Sequence, residues 1–363
     1  MFPADVSIVT DRLLLRPFGP EDERRIKSIV QSGATFLPPG APAKTSGVAR
    51  WLEAGVHELR RSGQGVHLAM TDATPGGDGR IVGAISLFKT SWTAGTTEVG
   101  YGVHPLYRGR GFATEAVRAL ASWVFRTTEL RRIDLTANLD NLASLHVAQK
   151  AGFTWEGVLR SAVLEPDGPH DLVVFGLLRE DDGEPSRVLP REELRTPRLL
   201  LRAYAEQDVP DLVAMAADPL IQANTGMPRD YTEEHAHAFF SRSERMRMRG
   251  HGIAWAVEEL ASGRFAADVG VRDLDWNHGT AEVGYMAAPW ARGNGYTAEA
   301  VAAVARWLFD QHGLRRLQLR AAVTNQASQR VAEKAGFVRE GVARSSLVGE
   351  DMVLYSLVPS DLA

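Results

Sequence analysis

Cysteine is absent from all 363 residues, which excludes disulfides, thiolate zinc sites and a cysteine nucleophile together. No apolar run nears the roughly 18 residues of a membrane span, and the opening Met1-Phe2-Pro3-Ala4-Asp5 lacks the basic-then-apolar layout of a secretion signal. A large excess of either charge is missing as well. Lys and Arg number 41 against 45 Asp and Glu, a formal −4, so neither phosphate backbones nor anionic membranes attract the chain in bulk. These absences predict a cytoplasmic protein with no nucleic-acid and no membrane partner. A Walker loop is lacking too, since nothing matches Gly-x-x-x-x-Gly-Lys-Ser/Thr.

What is present is a repeat, and a repeat decides the fold before anything else. Thr10-Asp11-Arg12-Leu13-Leu14-Leu15-Arg16 returns as Thr196-Pro197-Arg198-Leu199-Leu200-Leu201-Arg202. Gly95 to Phe153 aligns without a gap onto Gly279 to Phe337, with 31 of the 59 positions identical. Two halves this alike share one fold. Between them Glu180-Asp181-Asp182-Gly183-Glu184-Pro185, and then Pro190-Arg191-Glu192-Glu193, are charged and broken by proline. The chain therefore reads as a first domain over 1–180, a linker over 181–194 and a second domain over 195–363.

Within each half, β-like and helical stretches alternate. In the first, a short strand at Arg12 to Arg16 precedes a helix opened by Pro20-Glu21-Asp22-Glu23, with proline at its start and acids in its first turn. A second helix is expected over Ser46 to Arg61. Strands follow at Val66 to Met70, at Arg80 to Phe88 after the Gly76-Gly77-Asp78-Gly79 turn, and at Thr97 to Val103. A glycine-rich loop then leads into a helix at Ala113 to Arg126, a strand at Arg132 to Ala137, a helix at Asn141 to Ala151, and closing strands near Thr154 to Val163 and Leu172 to Leu178. Strands on both sides of a central β-loop-helix-β unit predict an α/β fold on a mixed sheet with helices on both faces.

The chemistry concentrates in Glu98-Val99-Gly100-Tyr101-Gly102-Val103-His104-Pro105-Leu106-Tyr107-Arg108-Gly109-Arg110-Gly111-Phe112-Ala113. Strand alternation puts Glu98, Gly100 and Gly102 on one face and Val99, Tyr101 and Val103 on the other. Glycines within a strand mark a close approach by a ligand or another backbone. Gly109 and Gly111 let the chain turn into a helix whose first N–H groups have no internal acceptor, the physical recipe for a phosphate site, to which Arg108 and Arg110 add charge. Alone, Arg-Gly-x-Gly is only a turn closed by a helix; here it recurs at Arg292, again after Glu-Val-Gly-Tyr and before a helix. A dinucleotide fingerprint is the nearer rival, but Thr114 stands where its last Gly or Ala belongs, and no acidic residue ends the next strand. A second block, Asn141, Ser144, Val147, Lys150 and Ala151-Gly152-Phe153, recurs at Asn325, Ser328, Val331, Lys334 and Ala335-Gly336-Phe337. Asn141 and Gly152 read as the two caps of a helix, or Asn141 and Ser144 read as ligand contacts at its N-terminal mouth.

Together these residues resemble the Gcn5-related N-acetyltransferase (GNAT) superfamily, and within it the RimJ/RimL-like branch that acetylates the N-termini of ribosomal proteins. Arg108-Gly109-Arg110-Gly111-Phe112-Ala113 fits the superfamily's acyl-CoA signature throughout, whereas Arg292-Gly293-Asn294-Gly295-Tyr296-Thr297 ends on Thr297 where Gly or Ala is the rule. The resemblance implies two tandem acyl-CoA N-acyltransferase domains, each with a splayed sheet that admits the pantetheine arm of acetyl-CoA. It implies that the backbone amides of Val103 and Ala287 polarise the thioester. The pyrophosphate falls to Arg108, Gly109, Arg110, Gly111, Phe112, Ala113 and Thr114, and to Arg292, Gly293, Asn294, Gly295, Tyr296, Thr297 and Ala298. Asn141, Ser144, Asn325 and Ser328 complete the cofactor contacts, with no metal.

Direct attack by an amine on a thioester needs a base, an oxyanion donor and positioning but no enzyme nucleophile. Glu98 and Glu282 are the candidate bases. Relatives often carry a Tyr general acid where Ala148 and Ala332 stand, which leaves that role unassigned; Tyr101 and Tyr285, on the opposite strand face, are expected to pack. The expected activity is acetyl transfer to a primary amine, on a protein N-terminus or a small molecule, in a ternary complex. Its rivals are one catalytic half beside a non-catalytic acyl-CoA sensor or scaffold, an aminoglycoside-type N-acetyltransferase, and a dinucleotide-binding protein. The fused pair would mimic a homodimer, and association of whole chains beyond it is compatible with that. His235 and His237, two apart on a helix, do not share a face, Trp123 and Trp307 read as core, and Asp171 and Asp351 as turn residues. The loops around Ala34 to Thr45 and Ile221 to Tyr231 differ, so the halves are free to take different acceptors.

Overall fold

The computed structural model describes residues 2–33, 35–76, 78–181, 183, 187–347 and 350–362. Parts of the expected linker (182 and 184–186), residue 34 of the first expected acceptor loop and Gly77 of the expected turn lie outside the described residues. The chain parts into two compact units, Met1–Ser186 and Arg187–Ala363. Among the described residues, none of the helices is long and apolar enough to cross a membrane.

The first unit runs β1 (Ile8–Val9), β2 (Leu13–Pro17), α1 (Glu23–Gln31), α2 (Val48–Glu53), α3 (Glu58–Arg61), β3 (Val66–Asp72), β4 (Ile81–Ser91), β5 (Thr96–Val103), α4 (Phe112–Thr127), β6 (Arg132–Asn138), α5 (Leu142–Lys150), β7 (Thr154–Glu165) and β8 (Gly168–Leu178). Its strands form one sheet in the order β1-β2-β3-β4-β5-β6-β8-β7. The helix expected over 46–61 is broken at Ala54 and Gly55. Glycine is a poor helix former, and here the Trp51 ring crowds it: a Cβ on Gly55 would sit 3.0 Å from Trp51 Cδ1.

The second unit repeats the plan as β9 (Leu194–Arg195), β10 (Leu199–Arg202), α6 (Val209–Ala216), α7 (Pro219–Asn224), α8 (Glu233–Met248), β11 (Ile253–Glu259), β12 (Phe265–Asp275), β13 (Thr280–Ala287), α9 (Tyr296–His312), β14 (Arg316–Ala322), α10 (Gln326–Lys334), β15 (Val338–Leu347) and β16 (Glu350–Leu357). One long helix, α8, stands where the first unit has fragments. The expected linker is not free chain from 187 onward. Leu189 is fully buried in the second unit's core, and Glu192 accepts hydrogen bonds from Trp255 Nε1 and Trp307 Nε1 at 3.2 and 2.9 Å. Two buried indole N–H groups need acceptors, and this segment supplies them.

Strand alternation sorts each sheet into two faces. In the second unit Ala281, Val283, Leu317 and Leu319 pack with Val301, Val304 and Trp307 of α9, while Ala256 and Met286 pack with Leu212 and Ala236 on the α6–α8 side. In the first, Ala69 and Ala84 meet Ile26, Trp51 and Leu52 of α1 and α2. Trp123 and Trp307 are core, as expected.

Candidate active site

The sheet opens at its centre in both units. β5 and β6 run parallel but pair only from Thr96 to Glu98 against Arg132 to Asp134, and β13 and β14 only from Thr280 to Glu282 against Arg316 to Gln318. Beyond Glu98 and Glu282 the partners part. His104 N bonds Val82 O at 2.9 Å, so in the alternating antiparallel ladder Val103, opposite Gly83, turns its N–H and C=O away from β4 and into the gap. Ala288 N bonds Ala266 O at 2.9 Å, which sets Ala287, opposite Ala267, the same way. Two sequence-singled residues are thereby placed with amides facing a cleft.

At the mouth of each gap lies the glycine loop. Gly109 and Gly111 adopt φ of +75° and +82°, and Gly293 and Gly295 +81° and +79°, the left-handed region that only glycine enters without strain. The turn brings the amides of residues 112–114 and 296–298, orphaned at the starts of α4 and α9, to one place. A brace that sequence reasoning did not assign holds the loop. Arg12 Nε donates to Glu115 Oε2 at 2.7 Å, its Nη1 to Arg110 O at 2.9 Å, and Thr10 Oγ1 to Glu115 at 2.5 Å. Arg198, Thr196, Glu299 and Asn294 O repeat the arrangement. Recurrence of both the Thr-x-Arg-Leu segment and Glu115/Glu299 was the available signal.

The two loops are charged differently. Among the described residues Arg108 donates only to Val103 O, at 3.2 Å, and is exposed. Arg292 is held by Asp218, at 2.6 and 3.2 Å, and that guanidinium keeps the Asp218 carboxyl below the usual range. Asn294 replaces Arg110 and turns its amide back onto Ala291 O at 3.3 Å.

Glu98 and Glu282, both below 10% exposed, also differ in company. Glu98 accepts from Lys89 Nζ and Thr136 Oγ1, each at 2.7 Å. Lys89 reaches it from a bulge in β4 where its own φ is +50°. Glu282 is gripped by two guanidiniums, Arg320 at 2.6 Å and Arg272. The glycines beside them serve packing: a Cβ on Gly100 would meet the Phe88 ring at 2.8 Å, and one on Gly102 the Phe36 carbonyl at 2.7 Å.

Asn141 and Asn325 cap α5 and α10, accepting from Ser144 N and Ser328 N at 3.1 and 3.0 Å. Tyr101 and Tyr285 bridge the gap, their hydroxyls donating to Ser144 O and Ser328 O at 3.3 and 2.9 Å; burial pushes both phenols up to about 12. Asp171 and Asp351 accept from the bulge amides of Ser161 and Ser345, both at 2.8 Å, a structural task. His235 caps its own helix through Thr232 and His237 meets Glu206. Among the described residues one trio, Glu165, Asp167 and His170, comes within metal-ligand reach, on the exposed β7–β8 turn.

On the face bearing the glutamates the units carry different buried polar pairs. The first has His67, whose Nδ1 lies 2.7 Å from Ser86 Oγ and whose imidazole burial pushes down to about 4. The second has Asp268, bonded by the Tyr204 hydroxyl and pushed up by burial to about 6. Between pH 6.5 and 4 an unfolded imidazole binds a proton that folded His67 does not, so acidification from pH 7 to 5 costs the first unit about 2 kcal/mol. Asp268 works in the opposite sense. Folded, it binds a proton between about 6 and 3.8 that the unfolded group has released, so the same acidification stabilises the second unit by about 1 kcal/mol. Amide exchange at the two pH values should show β3 of the first unit losing protection and β12 of the second gaining it.

The family model described as "Acetyltransferase (GNAT) domain" matches residues 12–154 and again 198–338. The chain belongs to the GNAT acetyltransferase family. Each unit of this GNAT chain is one such domain, and the tandem α/β mixed-sheet architecture expected from the sequence is found. The chain is similar to an uncharacterized N-acetyltransferase of Bacillus subtilis, YoaA, with 28% identity over 169 residues, 46% of this chain and 96% of that protein. It is also similar to the ribosomal-protein-serine acetyltransferase of Escherichia coli, with 30% identity over 95 residues, 26% of this chain and 53% of that protein. Among solved structures, an acetyltransferase of the GNAT family from Bacillus anthracis aligns with TM-score 0.41 and 22% identity over 46% of this chain and 98% of its own.

Proposed function

We propose that the chain transfers acetyl from acetyl-CoA to a primary amine by direct attack in a ternary complex, in the first unit with Glu98 as base. The observation that carries this reading is the gap between β5 and β6, with the Val103 amide facing into it and the glycine loop at its mouth. Donor and site match in kind. Loop amides 108–114 and the Arg108 side chain suit a pyrophosphate, two diverging strands with unpaired edges suit the amides of a pantetheine arm, and the Val103 N–H suits a carbonyl oxygen that gains charge as the amine adds. Glu98, with Lys89 and Thr136 fixing its two oxygens, takes the proton from the entering ammonium, directly or through a water. Tyr101, fastened to Ser144 O, keeps α5 in register across the gap. The acceptor of the first unit is a protein N-terminus or a small amine; the name of the Escherichia coli relative supports the former.

The second unit carries the same frame, but its loop arginine is already paired with Asp218. That contact supports a second reading of the chain, in which donor binding is unequal between the halves. Calorimetric titration of the whole chain with acetyl-CoA tests both. Two classes of site, the tighter weakened at least tenfold by Arg108→Ala, are expected; no binding at all would overturn the assignment.

A further inference from the structure

We infer that the second unit has its own acceptor site, in which the Asp268 carboxylate receives the ammonium of a small alkylamine; the inference rests on the acetyl-transfer reading of the same gap. Strand register places the group. Asp268 on β12 is directly opposite Met286 on β13, and Met286 immediately precedes Ala287, whose amide faces the gap. Side chains opposite one another on neighbouring strands stand about 5 Å apart on a common face, so the carboxylate lies one strand in from the gap, next to the Met286 side chain and on the side of the sheet remote from α9. At the corresponding place the first unit has Ala84 opposite Gly102.

The carboxylate is short of partners for a charge so placed. It is 7% exposed, and among the described residues its one hydrogen-bond partner is the Tyr204 hydroxyl. A cation paired with it is not found among them. Arg202, the cation next along this row of the sheet through Ala256, is fully used by Asp208 and Glu258. Burying an ionised group without a counter-charge is costly, which is why burial raises this carboxyl, and an arriving ammonium is the ligand that removes the cost. Glu282, another carboxylate on this face, has both oxygens engaged by arginines.

The walls favour the same class of ligand. Tyr204 stacks on Phe240 at 5.0 Å between centroids and meets Phe239 edge-on at 5.2 Å, and Tyr231 and Met286 close the cluster. Aromatic faces attract ammonium groups and cover alkyl stems. The first unit has Phe18 and Ala84 in place of Tyr204 and Asp268, so the polar pair is an exchange within a packing that tolerates apolar residues. In the transfer, the ammonium gives one proton to Asp268, the freed amine nitrogen forms the C–N bond as the C–S bond breaks, and the second nitrogen proton goes to the leaving thiolate. The products are the amide, CoA thiol and a protonated Asp268 that returns its proton to water.

The test is binding of n-butylammonium to the whole chain, followed by saturation-transfer NMR with n-butanol as the uncharged control, in the natural protein, in Asp268→Asn and in Asp268→Ala/Tyr204→Phe. The double variant installs the first unit's residues and is expected to fold and melt at least as high as the natural protein. The expected result is a loss of at least tenfold in ammonium affinity in both variants with butanol unaffected. Unchanged ammonium binding, or a lowered melting temperature with binding intact, would overturn the inference by making the pair structural. Because the readout is binding, a chain that binds the ammonium through Asp268 but consumes no acetyl-CoA with any amine would sink the acetyl-transfer reading and leave the ammonium site standing.

Discussion

Glu98→Gln is expected to lower acetyl transfer by the first unit about a hundredfold or more with little change in melting temperature, whereas Glu282→Gln leaves transfer within about twofold and melts lower. The contrast follows from what surrounds each carboxylate. Lys89, partner to Glu98, is 71% exposed and returns to water when the charge is removed. Arg272 and Arg320, exposed at 51% and 31%, are drawn together by Glu282, and without it two guanidiniums face each other over one patch of sheet. Discounted for that exposure, the loss is about 1 kcal/mol, or roughly 2–4 °C for a unit of this size. Release of CoA thiol, measured with a panel of amines beside a thermal melt, separates the effects. Residual transfer in Glu98→Gln belongs to the second unit and is expected to vanish when Asp268→Asn is added. Equal losses from Glu98→Gln and Glu282→Gln would show that the arginine grip does not matter.

The second large effect concerns the donor. Asp218→Asn is expected to tighten acetyl-CoA binding at the second unit by about tenfold, while Arg108→Ala weakens the first by at least as much. Asp218 caps α7, accepting from the amides of Leu220 and Ile221, and asparagine caps as well as aspartate, so the helix start survives. What changes is the charge. A carboxylate that competes with phosphate for Arg292 becomes a neutral amide, and a charge-assisted hydrogen bond of about 1.5–3 kcal/mol is returned to the ligand. Calorimetry resolves the two sites, and an unchanged weaker site in Asp218→Asn would mean that Arg292 takes no part in holding the donor.

Repetition made the scaffold legible and hid the differences that decide its chemistry. The central strands, both glycine loops and the capped helices were readable because Glu98, Gly109, Gly111, Asn141 and their copies are identical between halves. The two-residue strands Ile8–Val9 and Leu194–Arg195 are too short to show a period. Thr136 against Arg320, Phe88 against Arg272, and Ala84 against Asp268 are differences at equivalent places, and their meaning depends on which side chains register sets opposite one another. Arg292 and Asp218, 74 positions apart, meet only through the fold. The broken helix at Gly55 turned on one ring lying over one glycine.

The brace between the opening strand and the glycine loop also constrains how such a chain can arise. Arg12 and Glu115 are separated by 103 positions, Arg198 and Glu299 by 101, so the glycine loop is held from a point close to the front of its own unit. A copying event that began downstream of Thr196 would have delivered a sheet and helices with an unsupported loop. The smallest heritable cassette of this architecture therefore starts ahead of that threonine, and any shuffling of these units among genes must respect the same boundary.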